Sequence, residues 1–314
     1  MKMIRVGIVG AGPMGLLHAR TVARFSEQGK ACVLTAVVDH HDGRADAVAQ
    51  EFGARASSDL EAGLVDVDAV IVCVPTSAHF SVTELLLERD LDVLVEKPLA
   101  GSVAEGLRLG ILARERGCIL QVGHVEWYNQ GWRAAAKLAG KPRSIEVERL
   151  NPPGDRGLDI DVVQDFMLHD LDWVTRFLGE EVVELEAEGR CVMNDKLDEA
   201  EAMLRFHSGC QVRLRASRVY SERRRRVRIE GSEGAATADL LTRRVKGSGS
   251  TGDPGLDPLE AQWTDFLESL RSREDPKTDA AVGVAALEIV DRVRESIVQT
   301  SGSLDRDDDS ALRG

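Results

Sequence analysis

Through residues 1–123 the chain alternates between two hydrophobic periods. Short β-branched runs, IRVGIVG (Ile4 to Gly10), CVLTAVVD and DAVIVCVP, have the near-continuous apolar character of strands buried on both faces. Between them MGLLHARTVARF, GRADAVAQEFG and HFSVTELLLERD repeat apolar residues every third or fourth position. That spacing predicts helices with one packed face, the second of them closed by Gly53. DVLVEKP, VAEGLRLGILARERG and ILQVGH continue the series. Strand and helix in regular alternation imply a parallel, doubly wound α/β sheet.

A later stretch, VVQDFMLHDLDWV (Val162 to Val174), carries helical spacing of both kinds. Met167, Leu171, Val174 and Leu178 form an apolar stripe, while Asp165, His169, Asp172 and Arg176 recur about one turn apart as a polar ridge. One face anchors the helix and the other presents its polar groups. For Asp172 and Arg176 the spacing reads as a surface ion pair.

Composition removes several classes of function. At 314 residues and 43% hydrophobic content the chain can fill two cores, and a formal net charge of −13 argues against nucleic acid or anionic membrane as a partner held by bulk charge. No apolar run is long enough to span a bilayer, and Met1 to Arg5 leads into the first strand without a signal-peptide layout, so a cytoplasmic location is expected. The five cysteines are odd in number and lack C-x-x-C spacing, so neither a disulfide framework nor a zinc site is expected. His124 with Glu126 is too slight a pair to claim a metal.

Candidate chemistry collects at strand ends. GAGPMG supplies Gly10, Gly12 and Gly15 as G-x-G-x-x-G between the first strand and helix, where glycine permits a tight turn and close approach of backbone N–H groups to a pyrophosphate. Asp39 ends the second strand, the place of a carboxylate that accepts hydrogen bonds from an adenosine ribose. Its charge repels a 2′-phosphate, so NAD is expected over NADP. Arg44 is read as a solvated helix residue rather than a phosphate ligand, and His40 and His41 as flanking the adenosine rim. Pro75 and Thr76 end a buried strand at the edge where dinucleotides lie, and His79 either caps the next helix or lines the cofactor groove. VEKPLA ends the following strand with Glu96, Lys97 and Pro98, and a lysine there points into the ligand crevice. The run RRRR (Arg223 to Arg226) adjoins strand-like VRIEG, so alternate residues face opposite sides. It is read as a solvated or interface edge rather than a substrate anchor.

In this order the motifs resemble the Gfo/Idh/MocA oxidoreductases: the glycine fingerprint, PTSAH, EKP, an aspartate and histidine spaced as Asp165 and His169, then VRIEGSEGAATADL, PLEAQWTDFLESL and AVGVAALEIVDRVRESI. The resemblance covers nearly the full chain. It implies a Rossmann domain, residues 1–123, that binds NAD through Gly10, Gly12, Gly15, Asp39, Pro75, Thr76, His79 and Glu96. An α+β domain, residues 124–314, would follow, its open mixed sheet binding substrate and mediating a homodimer or homotetramer. A cis bond before Pro98 and catalytic roles for Lys97, His169 and Asp165 are also implied.

The chemistry asks for such groups. Oxidising a secondary alcohol sends a hydride to nicotinamide and the hydroxyl proton to a base, and histidine titrates in the right range. Asp165 would orient or stabilise the imidazole of His169, and Lys97 would stabilise developing alkoxide charge or share the proton relay. Within the family, LQVGHVEWYNQGW and ERLNPPGDRGLDIDVVQDFMLHDLDW look most like the branch of UDP-N-acetylglucosamine 3-dehydrogenases, departing at Trp127, where that branch commonly has arginine, and at Gln164 and Phe166. A sugar nucleotide oxidised at C3 is then the expected substrate, with Asn129, Arg149 and Arg156 as its candidate ligands. A free sugar or inositol dehydrogenase, a non-catalytic NAD-binding regulator and an NAD-using glycosidase are the alternatives. An aminotransferase is expected downstream.

Overall fold

The computed structural model describes residues 2–154, 160–247 and 255–311. The chain divides into two compact units, one of Met1–Val125 with Leu259–Ala285, the other of Glu126–Pro258 with Ala286–Gly314.

The first unit runs β1 (Ile4–Val9), α1 (Pro13–Glu27), β2 (Cys32–Val38), α2 (Asp42–Phe52), β3 (Arg55–Ser57), α3 (Leu60–Gly63), β4 (Ala69–Val72), α4 (Thr76–Glu88), β5 (Asp92–Glu96), α5 (Val103–Arg116) and β6 (Leu120–Gly123). Its six strands are parallel in the order β3-β2-β1-β4-β5-β6. The chain winds outward from β1 in both directions, so the crevice beyond the carboxyl ends of β1 and β4 is the place where such folds take ligands. All four residues of β4 are buried, as expected of a strand covered on both faces. Gly53 ends α2 in the left-handed conformation, φ 68°. β3 and α3 have no counterpart in the hydrophobic pattern, because they are short and largely exposed.

In the second unit a 3-10 turn reaching Tyr128 leads to α6 (Gln130–Ala139) and β7 (Pro142–Leu150). A π-helical turn, Val163–Met167, then runs into α7 (Leu168–Leu178), followed by β8 (Val182–Arg190), β9 (Glu199–Phe206), β10 (Gln211–Ser217), β11 (Arg224–Gly231), β12 (Gly234–Asp239) and β13 (Arg244–Lys246). The sheet order is β13-β12-β11-β7-β10-β9-β8, with β7 and β10 parallel and the other neighbours antiparallel. Strand alternation separates two faces: Ile145, Val147, Val227 and Ile229 are buried, while Glu146, Arg226 and Arg228 are exposed. The buried face shares one core with Trp132 and Ala135 of α6 and with Leu171 and Val174 of α7.

Two last helices, α8 (Pro258–Ser272) and α9 (Ala280–Ala311), complete the chain. The sequence pattern places residues 124–314 in the second domain, whereas Leu259–Ala285 clusters with the first unit. The physical reason is an edge and a core that need partners. The Val122 amide donates to the Thr278 carbonyl, the Thr278 hydroxyl donates to the Val122 carbonyl, and the Gln121 side chain donates to Thr278, all at β6. Trp263 and Phe266 of α8 join the same apolar cluster as Ile8, Ile71 and Leu94. From Ala286 onward α9 belongs to the second unit, where Val290 and Val293 are buried. Among the described residues no helix is long and apolar enough to cross a membrane.

Candidate active site

Three glycines shape the turn after β1 for three reasons. Gly10 has φ +97°, and a Cβ there would lie 2.5 Å from the Cys73 carbonyl oxygen. At Gly15 a Cβ would lie 2.0 Å from the Gly10 carbonyl oxygen, so this position lets α1 pack on its own turn. At Gly12 a Cβ would meet nothing within 4 Å; the protein leaves that side open. α1 starts with Pro13, has no capping side chain and no acidic residue in its first turn, which leaves the positive end of its dipole for an anion.

Asp39, at the end of β2, is buried, and its carboxylate accepts from the Ala11 amide at 2.8 Å and the His41 amide at 2.9 Å. It therefore ties the glycine turn to β2 while lining the same cavity of about 640 Å³ as Gly10, Gly12, His40, Arg44 and Pro75. An open turn, an uncapped helix start and a carboxylate beside them fit a dinucleotide. The exposed Arg44, expected to be merely solvated, does stand at this cavity.

Two residues expected at the cofactor groove, His79 and Glu96, brace the EKP loop from inside. His79 is 2% exposed, with Nδ1 2.6 Å from the Pro98 carbonyl and Nε2 3.0 Å from the Val74 carbonyl. Burial outweighs these acceptors and holds its pKa below the usual histidine range. Glu96 is buried against His18, whose Nε2 lies 2.8 Å from its carboxylate, and it accepts the Lys97 amide at 3.3 Å. Burial opposes its ionisation, but the His18 hydrogen bond and the charges of His18 and Lys97 prevail and hold its pKa below the usual carboxylate range. Gly123 makes room for it, since a Cβ there would lie 2.8 Å from a Glu96 carboxylate oxygen. The half-buried Lys97 thus follows β5 on a backbone fixed from α1 and α4, and its bond to Pro98 is cis. Thr76 opens α4 with Pro75 as its N-cap.

In the second unit Asp165 lies in the π-helical turn and His169 in the first turn of α7, both half-buried. The sequence spacing predicts uninterrupted α-helix there; instead the Leu168 amide reaches the Val163 carbonyl five residues back. Arg294 of α9 bonds Asp161 and the Gln164 side chain, and Asp161 accepts the Gln164 amide, which pins the start of the turn. Asp172 and Arg176 do pair, at 3.4 Å, but Asp172 is buried, so this is not a surface pair. Trp127, at the position where the resembled branch commonly has arginine, lies under two guanidiniums, Arg176 at 3.7 Å and Arg133 at 4.4 Å from its ring centre. An indole face receives both cations where a third guanidinium would repel them.

Two of the expected substrate ligands, Arg149 and Asn129, have partners inside the fold. Arg149 is 4% exposed and forms a two-pronged pair with Asp170, 2.7 Å on each side, with Glu126 at 3.5 Å. Despite burial, these carboxylates hold its pKa above the usual arginine range. Its fork is occupied inside the fold. Asn129 is the N-cap of α6, accepting the Gly131 amide and donating to the Leu240 carbonyl and Glu126. Arg156 lies outside the described residues.

The doubly wound sheet, the open glycine turn and the carboxylate ending β2 define an NAD-binding Rossmann protein. The chain belongs to the Gfo/Idh/MocA oxidoreductase family: residues 4–124 match its NAD-binding Rossmann fold and residues 127–237 its C-terminal domain. It is 34% identical to the UDP-N-acetylglucosamine 3-dehydrogenase of Acidithiobacillus ferrooxidans, over 95% of this chain and 98% of that protein. A solved structure of that enzyme matches with a TM-score of 0.84 at 33% identity, covering 95% of this chain and 98% of the other. The inositol 2-dehydrogenase of Rhizobium meliloti is 25% identical over 94% of this chain and 97% of its own. The protein is accordingly an oxidoreductase acting on CH–OH groups.

Proposed function

We propose that the protein is an NAD-dependent dehydrogenase oxidising a ring hydroxyl of a sugar nucleotide, UDP-N-acetylglucosamine at C3. The observation that carries this reading is the 34% identity to an enzyme of that name across 95% of the chain. Inositol dehydrogenases match over a comparable share at lower identity, so a cyclitol is the second reading.

Bound NAD supplies the hydride acceptor. In this reading His169 takes the hydroxyl proton, Asp165 about one turn earlier orients the imidazole and favours its charged form, and Lys97 donates to the reacting oxygen as alkoxide charge develops. Glu96 and His79 hold the backbone that carries Lys97. Asp39 disfavours a ribose 2′-phosphate and selects NAD. A homodimer or homotetramer, and an aminotransferase that consumes the reactive ketone, complete the proposal.

The test is to incubate the protein with NAD, UDP-sugars, free sugars, inositols and a carbonyl trap, following NADH absorbance and product mass, with NADH and NADPH titrated in parallel. A trapped 3-keto UDP-sugar and tighter binding of NADH are expected. Turnover confined to free sugars or inositol refutes the substrate, and tighter NADPH binding refutes the cofactor choice. Lys97→Ala or His169→Ala should lower turnover by roughly a hundredfold or more with NAD binding intact.

A further inference from the structure

The sequence of the run Arg223 to Arg226 suggests a solvated or interface edge, yet strand alternation sends one of its members inward. Arg225 is on the buried face of β11 with Val227 and Ile229, 9% exposed, directly opposite Arg149 in the register with β7. Two like charges facing each other across a buried sheet face are unfavourable unless anions answer both. Asp170 pairs with Arg149, and Glu126 also bonds Arg149 rather than Arg225. Burial, moreover, raises the Glu126 pKa above the usual carboxylate range.

Arg225 is left with neutral partners. Among the described residues its hydrogen bonds all leave one terminal nitrogen, to the Leu150 carbonyl, the Asn151 side-chain oxygen and the Arg224 carbonyl. A guanidinium has five N–H groups, and the edge formed by Nε and the other terminal nitrogen is the fork that matches phosphate. Burial and the Arg149 charge, only partly offset by the charges of Asp170 and Glu126, push its pKa down to about 9. Its guanidinium carbon lies 5.3 Å from the ring centre of Phe166, the neighbour of Asp165 in the π-helical turn.

We propose that Arg225 receives a phosphate of the substrate's diphosphate, its unused fork edge anchoring the nucleotide in the same unit as the Asp165–His169 helix. The proposal rests on the sugar-nucleotide reading above. It transfers to Arg225 the role that the sequence assigned to Arg149.

The experiment is calorimetry of the NADH-bound protein with UDP and, as the phosphate-free arm, uridine, alongside melting of the unliganded protein. Arg225→Met should weaken UDP binding by roughly tenfold to a hundredfold, the usual loss of a charge-assisted pair, and leave uridine binding unchanged. It should melt at or above the wild-type temperature, because a buried charge with no hydrogen-bonded counterion has gone. Arg225→Lys, which keeps charge but not the fork, should fall between. Wild-type protein that fails to bind UDP sinks the substrate reading and this assignment together. Wild type that binds UDP while Arg225→Met binds it equally well overturns the assignment alone, as does a variant that melts lower and loses NADH and uridine binding along with UDP.

Discussion

Glu96 shows how one side chain supports another from inside the fold. Its carboxylate bonds His18 from α1 and takes the amide of Lys97, so the candidate catalytic lysine inherits a fixed backbone from a buried ion. The folded pKa lies below the ordinary value, so the stability this ionisation contributes is fully present above the unfolded pKa of about 4.3 and is lost as pH falls through the folded value. Wild-type protein should therefore lose melting temperature below about pH 4.3 more steeply than Glu96→Gln, which starts less stable at neutral pH. Differential scanning calorimetry across that range checks it; parallel acid limbs would show that Glu96 folds with an unshifted pKa.

The β1-turn-α1 segment separates folding from binding within one motif. Gly15→Ala puts a methyl group 2.0 Å from the Gly10 carbonyl oxygen and should lower the melting temperature by on the order of 5 °C or more. Gly12→Ala meets no protein atom within 4 Å. It should melt like wild type yet bind NADH roughly tenfold more weakly, because the added methyl occupies the side from which a pyrophosphate approaches the backbone. Fluorescence titration and thermal melting of the two variants decide this, and normal NADH affinity in Gly12→Ala would move the cofactor elsewhere. The π-helical turn in front of α7 is the second such device: one wider turn sets the facing of Asp165 relative to the regular helix behind it.

The outward face of the second sheet is striped by charge. Arg226 and Arg228 on β11, Glu146 and Glu148 on β7, Arg213 and Arg215 on β10 and Glu199 and Glu201 on β9 give alternating columns, joined by pairs such as Arg226–Glu148 at 3.0 Å and Arg213–Glu201 at 2.7 Å. A twofold axis parallel to the strands, between β7 and β10, would lay β7 over a partner's β10 and β11 over its β9, acid against base each time. A homodimer built on this face should weaken as salt rises, and Arg215→Glu should raise its dissociation constant at least roughly tenfold. Sedimentation at low and high salt tests both; a salt-insensitive dimer untouched by Arg215→Glu places the interface elsewhere.

What could be read along the chain was whatever rests on local pattern. Buried β-branched runs, helical spacing between them and a glycine turn at one junction specify parallel strands and a phosphate-facing helix start, because each involves neighbours in sequence. The Asp165–His169 spacing and EKP were legible as motifs for the same reason. Partners distant in sequence were not. Arg149 and Asn129 have the right chemistry for a diphosphate, but Asp170 and the Leu240 carbonyl reach them first. The alternation in Arg223 to Arg226 shows that two faces exist without saying which is inward; register with β7 places Arg225 there. Leu259–Ala285 looks like any amphipathic segment until β6 offers it an open edge. Local periodicity chooses the elements. Which charge is answered, and by whom, depends on side chains that only folding brings within hydrogen-bonding distance.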